Sequence, residues 1–133
     1  MSVIIYHNPA CGTSRNTLAM IRASGVEPVI VAYLTTPPNR EEIRDLARRS
    51  GIPLRDLLRE KGTPFADLGL DDPSLSDEQL LDAIELHPVL LNRPIVTSGK
   101  GVRLCRPSEK VLDLIPPLPE DFIKEDGEKV KKA

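Results

Sequence analysis

Apolar positions along this chain follow two periods. Val3-Ile4-Ile5-Tyr6 is a continuous apolar run closed by His7 and Asn8, which predicts a buried strand over residues 3–7. From Thr13 to Ser24 the pattern turns helical: Leu18 and Ile21, bordered by Arg22, give a partly apolar face, and Gly25 is placed to close the helix. Val29 to Leu34 is apolar and β-branched again, a second strand. A short strand, a helix and a short strand predict a parallel βαβ unit.

The middle of the chain reads as helical. Pro37-Pro38 punctuates it, Asn39 with Glu42 has the spacing of a capping box, and a helix follows to Ser50 before Gly51. Leu54, Leu57 and Leu58 mark a short helix ending near Gly62. Ser76-x-x-Gln79 opens another, with Leu80, Leu81 and Ile84 on one face, ending before His87-Pro88. Ile95-Val96-Thr97, a turn through Ser98-Gly99-Lys100-Gly101, and Val102 to Cys105 read as a hairpin. Pro107-Ser108-Glu109 opens a last helix to about Ile115. The order βαβ, helices, ββα predicts an α/β fold of the thioredoxin-like kind, a mixed sheet with a helical insert between its halves. One domain over residues 1–133 is expected, the insert at about 36–92 and a charged tail at about 116–133. In such a sheet a cis proline opening the strand at 95 faces the reactive cysteine, so a cis Arg93–Pro94 bond is expected.

Composition narrows the function classes. A net charge of −2 argues against non-specific binding to nucleic acid or a membrane surface, and two Tyr, two Phe and no Trp leave little for base stacking. The four-residue apolar run before His7 is too short for a signal peptide or a membrane span. Two cysteines without an export signal imply reduced thiols and a cytoplasmic setting. The two His and two Cys never stand at ligand spacing, so no bound metal or cofactor is expected.

The chemistry concentrates at Cys11. It falls where the first strand hands over to the first helix, so its sulfur meets unpaired N–H groups and the positive end of the helix dipole; both favour thiolate. Its neighbours Asn8, Gly12, Thr13, Ser14 and Arg15 are polar or small, unlike the lining of a buried structural cysteine. The loop reads Cys11-x-x-Ser14, so a second thiol must come from elsewhere. Ser14 is either a donor to the sulfur or an ordinary first-turn residue. His7 either favours the thiolate as a cation or is hydrogen-bonded at a strand end. Arg15 reads as solvating the helix face.

Three arginines, Arg59, Arg93 and Arg106, stand beside apolar residues at element ends, two of them directly before prolines. Singly each reads as a surface charge. Gathered near Cys11 they would repel one another by roughly 4 kcal/mol per close pair, and only a multi-oxygen anion bound between them would make sense of that. Cys105 ends an apolar strand and reads as a packed strand cysteine rather than a resolving thiol.

These residues resemble the glutaredoxin-linked bacterial arsenate reductase family. The likeness runs from Ser2 to about Val130 and rests on His7-Asn8-Pro9-Ala10-Cys11-Gly12-Thr13-Ser14-Arg15-Asn16, Leu57-Leu58-Arg59, Asn92-Arg93-Pro94-Ile95-Val96, Leu104-Cys105-Arg106-Pro107-Ser108-Glu109 and the tail run Lys124 to Lys129. It implies that Cys11 attacks arsenic, that His7 and Ser14 tune its pKa, that Arg59, Arg93 and Arg106 bind the oxyanion, and that Cys105 is dispensable. It also implies the partners: arsenate as substrate, glutathione as the second sulfur on arsenic as As(V) becomes As(III), and glutaredoxin, which carries the glutathione away as a mixed disulfide. A monomer is expected. The alternative is a redox-responsive regulator of the transcription machinery built on the same fold, a branch that carries Cys-x-x-Cys where this chain has Ser14. A monothiol glutaredoxin-like protein is a third reading, but no glutathione-binding groove is legible for it.

Overall fold

The computed structural model describes residues 2–132, which divide into two compact units, residues 2–32 with 93–132, and Tyr33–Asn92. The first holds a four-stranded mixed sheet in the order β2-β1-β3-β4, made of β1 (Ile4–His7), β2 (Val29–Ala32), β3 (Ile95–Ser98) and β4 (Gly101–Leu104). β1 runs parallel to β2, with Ile4 opposite Val29, and antiparallel to β3, with Ile4 opposite Thr97; β3 and β4 form the hairpin. The βαβ and ββ halves of the expected thioredoxin-like sheet are therefore present, with the helix α1 (Gly12–Ala23) connecting β1 to β2.

α1 buries Ser14, Thr17, Met20 and Ile21, so its inward face is more polar at the start than Leu18 and Ile21 alone imply. Arg22 stays outside, paired with Glu27. Met20 and Ile21 pack with Ile5, Val96, Cys105 and Val111 in one apolar cluster. β2 departs from the sequence reading. It stops at Ala32, and as the edge strand it leaves Val29 and Ile30 exposed. The segment expected as a last helix is a 3₁₀ helix, Ser108–Leu114, whose Val111 and Leu114 face the same cluster. Both Arg93–Pro94 and Arg106–Pro107 are cis, the second unexpected.

The charged tail is not a loose tail. β5 (Phe122–Ile123) and β6 (Lys129–Val130) pair antiparallel, and Gly127, at φ +91°, takes the left-handed conformation the turn between them needs. Val130 is 6% exposed and joins the core cluster, a burial that contributes about 1.5 kcal/mol.

The second unit is helical, as expected of the insert. α2 (Arg40–Ser50) starts at a complete capping box: Asn39 Oδ1 accepts the Glu42 N–H at 2.8 Å and Glu42 returns a carboxylate oxygen to the Asn39 N–H. Gly51, at φ +76°, closes it. α3 (Asp77–Leu86) repeats the device with Ser76 and Gln79 and buries Leu80, Leu81 and Ile84. The short helix at Leu54 is a single 3₁₀ turn, Leu54–Leu57, rather than one running to Gly62. It ends there because Leu58 turns extended and pairs antiparallel with Leu91, flanked by hydrogen bonds from the Arg59 N–H to Leu90 O and from the Asn92 N–H to Leu57 O, each 2.8 Å.

Candidate active site

The loop after β1 is built by its own side chains. Asn8 Oδ1 accepts the Ala10 N–H at 2.9 Å and Asn8 O accepts the Cys11 N–H at 3.0 Å, so the chain turns tightly between His7 and Cys11. Cys11 is then the N-cap residue of α1, with extended backbone (φ −97°, ψ 120°), and its carbonyl accepts the first helical hydrogen bond, from the Arg15 N–H. The sulfur thus sits among the open N–H groups of a twelve-residue helix, at the positive end of its dipole.

Two arginines from the β3–β4 half of the sheet, one just before β3 and one just after β4, complete its surroundings. Arg106 Nη1 lies 3.7 Å from Cys11 Sγ and also donates to the Arg93 carbonyl at 3.0 Å, which fixes the guanidinium's direction. Partial burial is the largest influence on the thiol and opposes its ionisation. The Ser14 N–H and the Arg93 and Arg106 guanidiniums together outweigh it and bring the pKa down to about 7. Near neutral pH roughly half of Cys11 is thiolate. The residue is 9% exposed.

His7 and Ser14 form a buried pair behind the loop. His7 Nδ1 and Ser14 Oγ share a 2.6 Å hydrogen bond, and the Asn8 N–H donates to the same hydroxyl at 3.1 Å. Burial, then the charges of Arg22 and Arg15, push the His7 pKa below its ordinary value. Of the two readings of His7, a cation or a hydrogen-bonded strand end, the hydrogen bond to Ser14 fits the second, and burial and the two arginines favour the neutral ring. Ser14 meets the sulfur through its main-chain N–H, while its hydroxyl is occupied by His7 and Asn8.

Arg15 is a second correction. Instead of merely solvating the helix, it gives Nε and Nη2 to Glu125, at 2.9 and 3.0 Å, and Nη1 to the Pro9 carbonyl at 2.8 Å. Glu125 lies in the run read as a charged tail. The one signal pointing to it was the likeness of Lys124 to Lys129 to the family's tail. Cys105 stands just past β4, fully buried, and burial pushes its thiol up to about 12. Both cysteines are free thiols. Cys11, His7, Ser14, Arg93 and Arg106 are thus gathered in the first unit. Arg59 belongs to the second, where its Nε donates to Lys61 O at 3.1 Å. Among the described residues no group of three or more His, Cys, Asp and Glu could hold a metal ion, and no helix is long and apolar enough to cross a membrane.

A thioredoxin-like sheet with one low-pKa thiol at the start of its first helix, arginines beside it and serine in place of a second cysteine defines a single-cysteine thiol enzyme. Residues 6–114 match the model of the ArsC family. The chain is 60% identical to an arsenate reductase from Rhizobium meliloti (strain 1021), covering 100% of this chain and 96% of that protein, and 53% identical to one from Escherichia coli, covering 97% and 92%. In three dimensions it is similar to an arsenate reductase from Vibrio cholerae, with a TM-score of 0.82 at 41% identity over 86% of this chain and 98% of that one. The chain belongs to the ArsC family.

Proposed function

We infer that this chain is an arsenate reductase that detoxifies arsenic by converting As(V) arsenate to As(III) arsenite through Cys11. The observation that carries the reading is a thiol brought to about 7 beside the Arg106 guanidinium, 3.7 Å away. A thiolate and a fixed cation side by side are what attack on a tetrahedral oxyanion requires.

The sequence of steps follows from the electron count. The Cys11 thiolate forms a sulfur–arsenic bond as one arsenate oxygen leaves as water, with protons taken from solvent. Glutathione replaces a second oxygen in the same way. A glutaredoxin thiolate then takes the glutathionyl sulfur from arsenic as a mixed disulfide. The pair of electrons of that arsenic–sulfur bond stays on arsenic, which becomes As(III), and water releases arsenite and frees Cys11. Arg93 and Arg106 hold the oxyanion and the charge that develops on its oxygens; the family likeness of Leu57-Leu58-Arg59 assigns Arg59 to the same task. His7 and Ser14 keep the loop in shape, and the Ser14 N–H favours the thiolate. The missing second cysteine in the loop supports outside thiols as reductants and weighs against the regulator reading. Two free cysteines fit a reducing cytoplasm, with the chain acting as a monomer.

The test is arsenate-dependent NADPH oxidation with glutathione, glutaredoxin and glutathione reductase. Wild type should turn over and Cys11→Ser should not. No arsenate-dependent oxidation by wild type, or equal rates for the two, would overturn the reading.

A further inference from the structure

The hairpin formed by β5 and β6 lies beyond the residues that match the family model, yet its turn reaches both segments that carry the reacting groups. On one side Glu125 grips the start of α1. Its carboxylate takes two N–H groups of Arg15, its main-chain N–H donates to Asn16 Oδ1 at 3.0 Å, and the third Arg15 contact goes to the Pro9 carbonyl, two residues before Cys11. The clasp passes over Gly12, where a Cβ would stand 3.6 Å from Arg15 Nη2 and 3.8 Å from Glu125 Oε1. On the other side Lys124 Nζ pairs with Glu109 at 2.7 Å, three residues after Arg106. The Lys124 side chain is only 9% exposed, and Glu128 is its second partner at 3.5 Å. A cation buried that far is held by its carboxylates, and its removal leaves Glu109 with the Ser108 hydroxyl, at 3.2 Å, in place of a charged partner.

We propose that this turn is a strap joining the Cys11 loop to the Arg106 segment, and that Glu125 and Lys124 are positioning residues for the pair formed by Cys11 and Arg106. Glu125 acts through Arg15 on the Pro9 carbonyl and so on the approach to Cys11. Lys124 acts through Glu109 on the segment that presents Arg106. Cut at either end, the strap no longer holds the Ser14 N–H and the Arg106 guanidinium on the sulfur. The inference rests on Cys11 being the reacting thiol, but its first test needs no arsenate.

That test is the pH profile of Cys11 alkylation by iodoacetamide in the full chain, followed by mass spectrometry of the peptide containing Cys11. Glu125→Ala and Lys124→Met should each raise the midpoint of the profile, slowing alkylation at pH 6 by roughly three- to tenfold. Glu125→Gln keeps an acceptor for Arg15 and the main-chain contact to Asn16, and should recover most of the rate. Because the two ends serve one strap, the double variant should fall well short of the product of the single effects. In the coupled assay the loss should shrink at pH 8.5, where the thiol ionises without help; a loss of folding stability alone would not respond in that way. A midpoint that stays or falls in Glu125→Ala, or single effects that multiply in the double variant, would overturn the proposal. Should Lys124→Met not fold, the exposed Glu125 pair decides by itself. If alkylation shifts as described and arsenate turnover is absent from wild type, the strap stands and the assigned substrate falls.

Discussion

The two cysteines of this chain are the same chemical group in opposite settings. Cys11 caps a helix, 9% exposed, beside an N–H and two guanidiniums, and is brought to about 7. Cys105 closes a strand inside the apolar cluster, with no exposed surface, and is pushed to about 12. Burial raises both. What separates them is that only Cys11 has donors aimed at its sulfur, and these overcome the cost of desolvation. Reactivity is thus a property of the loop rather than of the residue type, and the contrast can be broken at either end.

The largest effect belongs to the sulfur itself. Cys11→Ser should cut arsenate reduction by at least about a thousandfold in the coupled assay, because a serine hydroxyl stays protonated and does not make the thiol–arsenic bond. Removing the donors should bring Cys11 toward an ordinary thiol. Arg106→Ala should lower kcat/KM by about a hundredfold and raise the midpoint of the alkylation profile, since the guanidinium beside the sulfur is the one proposed to hold the oxyanion. Arg59→Ala should match the loss in kcat/KM. An Arg106→Ala variant that kept the wild-type alkylation profile would show that the helix terminus alone sets the thiol.

Stability against pH separates the thiols by sign. Cys11 loses its proton at a lower pH in the folded chain than in the unfolded one. Its contribution is therefore fully present above the unfolded value and fades as pH falls through about 7. Cys105 keeps its proton longer when folded, so its contribution is complete below the unfolded value and is lost as pH rises toward about 12. Urea melts from pH 6 to 10 should show that Cys11→Ser removes a rise in stability between about pH 7 and 9. Cys105→Ala should remove a fall above about pH 9. The same slopes in both variants would mean that other groups dominate.

Where the sequence reading succeeded, its causes were local. Asn39 with Glu42 and Ser76 with Gln79 satisfy helix N–H groups within three residues. The step from strand to loop to helix around Cys11 needs only residues 4–15. Its failures involve partners far along the chain. Arg15 reads as a surface charge because Glu125 is 110 residues away. The tail reads only as charged, while Val130 in the core and the ion pairs of Lys124 with Glu109 and of Glu125 with Arg15 hold it down. The exposure of β2 is set by its place at the sheet edge, which strand composition does not encode. The arginines lie between: their positions at element ends are visible in the sequence, whereas the 3.7 Å approach of Arg106 to the sulfur is a product of the sheet.

The smallest effect should come from Cys105→Ala. Taking one sulfur from a fully buried position leaves a small cavity and costs about 1 kcal/mol of stability. kcat/KM should stay within about twofold of wild type, because the thiol is packed in the apolar cluster and donates to the Arg103 carbonyl, at 3.7 Å. Labelling sharpens the point. In the wild type, iodoacetamide should reach Cys11 in the folded chain at a rate set by thiolate content, and Cys105 only when the core opens. Added urea below the melting transition should then speed the labelling of Cys105 and leave Cys11 nearly unchanged. If both responded alike, the two settings would not differ in access, and the arginines beside Cys11 would have to account for the whole difference in reactivity.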